Sequence, residues 1–97
     1  MKKVFICSPL KGNMEQNIEN ARRYAREAIL TGYLPIVPHI YFTQFLDDLK
    51  EEERALGIKA GGELVDVCDE LWVFGEPSEG MKKDIEAWGD RPIIFKE

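Results

Sequence analysis

Val4-Phe5-Ile6-Cys7-Ser8-Pro9-Leu10-Lys11-Gly12-Asn13 runs four consecutive apolar residues into a loop of turn formers, and a helical pattern follows from Met14 to Leu30. An unbroken apolar run reads as a central parallel strand covered on both faces, where an exposed strand would alternate. In the helical stretch Ile18, Ala21, Ala25, Ala28 and Ile29 recur at helical spacing, while Glu19, Arg22, Arg23, Arg26 and Glu27 take the other faces. Gly32 then closes the helix in a left-handed cap. The next strand, Tyr33 to Val37, contains Pro35, which cannot donate to a ladder and so belongs at an edge. Strand, helix and strand in this order demand a right-handed crossover.

Farther along, Pro38 to Lys50 reads as a loop with one helical turn, and Glu51 to Asp69 as a helix with Leu56, Ala60, Leu64 and Val67 inward. Gly61-Gly62 inside that helix costs about 1 kcal/mol each relative to alanine, which points to a close backbone approach or a kink. Glu70 to Gly75 is the third strand. The loop Glu76 to Gly80, a short helix to Trp88 and a fourth strand from Arg91 to Phe95 complete the chain. These elements predict an α/β, flavodoxin-like (Rossmann-like) three-layer sandwich with about four parallel strands in the order 2-1-3-4, forming one domain over residues 1–97. In such open sheets the ligand crevice lies at the switch point, here between the first and third strands.

A chain of 97 residues with 44% hydrophobic and 32% charged residues fits one ordinary globular core. Its net charge of −5 argues against a nucleic-acid polymer as partner, because phosphate-tracking surfaces are basic. The apolar run after Met1-Lys2-Lys3 ends at Ser8-Pro9, too short for a secretory h-region, so we expect a cytoplasmic protein with no membrane partner. Cys7 and Cys68 lack metal-ligand spacing and read as small core residues, and neither a metal nor a cofactor is expected.

Ser8 to Asn13 and Ser78 to Met81 flank the switch point, and each leads into a helix whose first N–H groups favour a phosphate or carboxylate. In the last helix Met81, Ile85 and Trp88 share one face, with Asp84 at its edge and Glu86 turned toward solvent. Asp84 therefore either looks into the crevice or serves as a solvated carboxylate near the helix start. His39, the single histidine, follows the second strand on the same sheet edge, where it either packs or bonds a polar ligand. Tyr41 and Phe42 are open to base stacking, to the core or to an interface. Other chemistries fail on residue identity. A Walker loop would end in Gly-Lys-Ser/Thr where this chain has Lys11-Gly12-Asn13, and a phosphatase loop starting at Cys7 would need arginine where Asn13 stands.

Taken in order, Val4 to Gly12, Pro38-His39, Cys68-Asp69-Glu70-Leu71-Trp72-Val73 and Ser78-Glu79-Gly80-Met81-Lys82-Lys83-Asp84 resemble the nucleoside 2-deoxyribosyltransferase superfamily. The likeness is nearest to a small branch found in bacteria and phages, and extends more distantly to the deoxynucleoside 5′-monophosphate N-glycosidases. It implies an enzyme that cleaves the bond between base and deoxyribose, as a hydrolase or a deoxyribosyltransferase, with Asp84 at the nucleophile's position. It also implies that Ser8, Pro9, Leu10, Lys11, Gly12, Ser78, Gly80 and Met81 hold a small-molecule nucleoside or nucleotide, and that His39 lies in the pocket. Aspartate at 84 is a methylene shorter than the family's glutamate. Phe5 stands where relatives carry a tyrosine, and Gly61 where they carry an aspartate, so Glu63 is the substitute expected at the leaving base. These departures imply the alternative of a catalytically inactive nucleotide-binding module. Aromatic Tyr41, Phe42 and Phe45, together with the first helix, point to a homodimer or larger homo-oligomer, the alternative being that the three rings fold back onto their own sheet.

Overall fold

A computed structural model describes residues 1–96, so that Glu97, the last residue of the expected domain, lies outside the described residues. Four parallel strands, β1 (Lys3–Cys7), β2 (Leu34–Ile36), β3 (Glu70–Phe74) and β4 (Ile93–Lys96), form one sheet in the order β2-β1-β3-β4. Helices α1 (Met14–Leu30), α2 (Pro38–Phe42), α3 (Glu51–Val65) and α4 (Glu79–Trp88) connect them. The expected flavodoxin-like α/β architecture and strand order are those of the protein.

The two faces of β1 follow from strand alternation. Val4 and Ile6 pack with Ala28 of α1 and with Trp72 and Phe74 of β3, while Phe5 and Cys7 pack with Leu71, Val73, Val65, Met81 and Trp88 under α3 and α4. Pro35 lies opposite Val4 on the edge strand β2, where its missing N–H faces away from the ladder. Asp69 ties the central pair together at its start: its amide donates to the Lys3 carbonyl at 2.8 Å, and its carboxylate accepts from the Lys3 amide at 2.8 Å. Gly32, with φ of +95°, ends α1 as the helical pattern required.

Two details differ from expectation. Helix α3 ends at Val65, because the amides of Val67 and Cys68 bond the Leu64 and Val65 carbonyls in tight turns that lead into β3. Its buried face is also rotated: Leu56 is 59% exposed, while Leu64 packs against the core as expected, and Val67, now beyond the helix, is 53% exposed. The inward line is Gly57, Gly61 and Val65, in steps of four residues, and the glycines bring the helix against Leu46 and Pro38. A face built on glycine carries no apolar signal, so the hydrophobic pattern selects a neighbouring face. A side chain on Gly61 would begin 3.7 Å from Pro38, an ordinary van der Waals distance, and one on Gly62 would meet nothing within 4 Å, so the close backbone approach expected of the Gly61-Gly62 pair is not required by the packing.

Candidate functional site

At the carboxyl ends of β1 and β3 the structure opens a cavity of about 510 Å³, within the size range of small-molecule sites. Its base is the β1–α1 loop. Ser8 is 1% exposed, lines the cavity, and its hydroxyl has no hydrogen-bond partner among the described residues. Buried hydroxyls are nearly always paired, which makes this one the unexplained polar group at the base of the cavity. Leu10, Lys11 and Gly12 continue the lining, whereas Pro9 lies outside it. Asn13 caps α1 by accepting from the Gln16 amide at 3.2 Å.

The opposite wall is the first turn of α4. Ser78 lines the cavity, but its hydroxyl is engaged as the helix cap, accepting from the Met81 amide at 3.4 Å. Its contribution is therefore to hold the helix start in place. The amides of Glu79 and Gly80, in the first turn of α4, have no acceptor within the helix, and both residues line the cavity. Cys7 fixes the spacing between the two loops, with its thiol 3.8 Å from the Met81 carbonyl. Burial, and secondarily the nearby Asp84, pushes this thiol up to about 12, so Cys7 is a protonated packing residue, as the sequence suggested.

Asp84, one turn into α4, lines the cavity half-buried, with no hydrogen bond or ion pair to its carboxyl among the described residues. Desolvation alone raises its pKa from 3.8 to about 7. His39 stands at the start of α2, where its Nε2–H donates to the Ser8 carbonyl. Burial lowers its pKa, against opposing effects of that hydrogen bond and of Asp48, and the ring is neutral at pH 7. The histidine thus positions the loop that carries the orphaned hydroxyl.

Glu63 requires a correction. It is exposed and absent from the cavity lining, because α3 turns Gly61 toward the site and a residue two positions on lies about 200° around the helix. The remaining wall comes from residues that sequence reasoning did not single out as site residues. Leu46 and Ile58 join Phe42 in an apolar side, and Asp48 and Arg54 form an ion pair at 3.8 Å on the polar rim. The carboxylate of Glu53 is occupied elsewhere, accepting from the Asp47 amide at 2.9 Å and facing Lys50 at 3.7 Å. Among the described residues, no three His, Cys, Asp or Glu side chains converge as a metal ligand set would.

Four parallel strands with this cavity at their carboxyl ends, lined by apolar and polar residues and two helix starts, define an open parallel α/β domain with a candidate small-molecule pocket. Within that class the chain belongs to the DUF7768 family, described as a domain of unknown function, whose model matches residues 2–96. No curated protein and no solved structure matches the chain. Among the described residues no helix is long and apolar enough to cross a membrane.

Proposed function

We propose that this protein cleaves the N-glycosidic bond of a deoxyribonucleoside or its 5′-monophosphate, with Asp84 as nucleophile. The observation that carries the reading is an unpaired, half-buried carboxyl lining a cavity that also holds the orphaned Ser8 hydroxyl and the free amides of α4. The apolar side of Phe42, Leu46 and Ile58 suits a base, and the Ser8 side suits a sugar. The Asp84 carboxylate attacks the anomeric carbon as the glycosidic bond breaks, and the base leaves with the bonding electron pair and takes up a proton from water entering the cavity. Water or a second base then displaces the carboxylate from the sugar. Positive charge develops at the anomeric centre during attack, and a carboxylate in a desolvated site stabilises that charge more than it would in water. Only the ionised form attacks, so the rate rises with pH through about 7, where Asp84 titrates.

Incubating the protein with the common deoxynucleosides and their 5′-monophosphates, and following free base, tests the reading. Release that Asp84→Asn abolishes supports it. No release from any compound by folded protein rejects it.

A nucleotide-binding module without turnover is the second reading. Phe5 favours it, being a core residue with no hydroxyl where the resembling enzymes carry tyrosine, and so does Glu63, whose exposed position leaves the leaving base without its expected acid. Here a nucleotide raises the melting temperature while no base appears. In either reading we place the chain in the cytoplasm as a homo-oligomer whose partner is a small nucleoside or nucleotide. Two free, buried cysteines and the exposed rings of Tyr41 and Phe45 support that placement.

A further inference from the structure

Arg54 is the one guanidinium lining the cavity among the described residues. It rises from the first turn of α3 and crosses to α4, where its Nη2 lies 3.9 Å from the position a side chain on Gly80 would begin. Its recorded partner is Asp48, Nε to Oδ2 at 3.8 Å, too long for a good hydrogen bond, so the planar fork is held near the rim without being committed. Three elements that line the cavity therefore carry donors: the Arg54 fork, which lies beside Gly80, the free amides of Glu79 and Gly80 at the start of α4, and the Ser8 hydroxyl in the β1–α1 loop. The thiol–carbonyl contact between Cys7 and Met81 places that hydroxyl's loop beside the same helix turn. Hydroxyl and guanidinium come from different elements, and the hydroxyl is fully buried and unpaired.

We propose that Arg54 selects a phosphorylated ligand: its guanidinium, with the opening amides of α4 and the Ser8 hydroxyl, forms the subsite for a phosphomonoester attached to the sugar. The inference rests on the glycosidic reading only for the identity of that sugar. In the free protein Asp48 holds the guanidinium in place, and an arriving phosphate replaces the long Asp48 contact with shorter charge-assisted hydrogen bonds. Asp48 thus competes with the ligand for Arg54, and the two residues act in opposite directions.

Calorimetric titration of the parent, Arg54→Gln, Arg54→Lys and Asp48→Asn with deoxynucleosides, their 5′-monophosphates and ribose 5-phosphate tests this. We expect the parent to bind a monophosphate at least tenfold more tightly than the matching nucleoside. Arg54→Gln abolishes most of that preference while leaving nucleoside affinity within about threefold, Arg54→Lys restores part of it, and Asp48→Asn tightens monophosphate binding severalfold. A monophosphate affinity unchanged in Arg54→Gln, or nucleoside and monophosphate weakened equally, overturns the assignment. Free base is measured in the same samples. An Arg54-dependent phosphate preference without base release supports the subsite while rejecting glycosidic cleavage. Base release at equal rates and affinities from nucleoside and monophosphate does the reverse.

Discussion

Replacing Asp84 with asparagine should make the protein more stable, by an amount that depends on pH. In the folded protein the carboxyl titrates near 7 because burial penalises its charged form, against 3.8 in the open chain. The native state therefore keeps a proton that the unfolded chain has already released. Its advantage is full below about pH 3.8 and is lost as pH rises toward about 7, above which the whole cost of the buried charge is felt. At about 1.4 kcal/mol per pKa unit this difference corresponds to at most about 4 kcal/mol. Water entering the cavity reduces the figure, and a gain of about 1 to 4 kcal/mol is the expected range. For a domain of this size each kcal/mol moves the melting temperature by about 4 to 8 °C. Thermal unfolding followed by circular dichroism at pH 4 and pH 8 should show parent and Asp84→Asn nearly coincident in acid, with the variant melting at least about 4 °C higher at pH 8. A gap that does not widen with pH, or a variant less stable at pH 8, would refute the account of Asp84 as an unpaired, desolvated carboxyl. The side chain retained at that cost is the one proposed to do the chemistry.

Ser8→Ala removes a buried hydroxyl that has no partner, so urea unfolding should show a neutral change or a gain of up to about 1 kcal/mol, while nucleotide affinity falls. A loss above 1 kcal/mol would mean the hydroxyl is paired in solution. Gly62→Ala places a methyl in open space within α3 and should raise stability by about 0.5 to 1 kcal/mol by the same measurement. Light scattering should give a mass of at least twice 11.2 kDa, and Phe45→Glu should return it to the monomer value, since Phe45 is 58% exposed beside Tyr41 and Phe42. A parent at 11.2 kDa removes the oligomer.

Where the chain buries a strand on both sides, the sequence is direct: Val4 to Cys7 and Leu71 to Phe74 are apolar throughout because both faces are covered. Pro35 marked an edge because a missing donor is tolerated only there. Helix α3 was harder to orient because its buried line is Gly57, Gly61 and Val65, and glycine buries backbone without announcing a face. The same rotation explains Glu63, which is near Gly61 along the chain and far from it around the helix. Ser8, Gly80 and Asp84 were legible because helix starts at a switch point are fixed by topology. Asp48 and Arg54 were not, since their juxtaposition depends on how the segment between α2 and α3 folds over the sheet end, and no period in the sequence encodes that path.

The pairing of β1 with β3 also governs how the chain reaches this state. Lys3 and Asp69, clasped at the start of the central pair, are 66 positions apart, whereas β1–β2 and β3–β4 each join consecutive strands through a shorter connection. Closing the longer loop costs more entropy before any contact compensates, so each βαβ half can organise before the two halves zip together along β1 and β3. The cavity lies across that seam, with Ser8 contributed by one half and the start of α4 by the other. A half-folded chain therefore has no pocket, and a bound nucleotide would slow hydrogen exchange in both halves together by holding the seam shut.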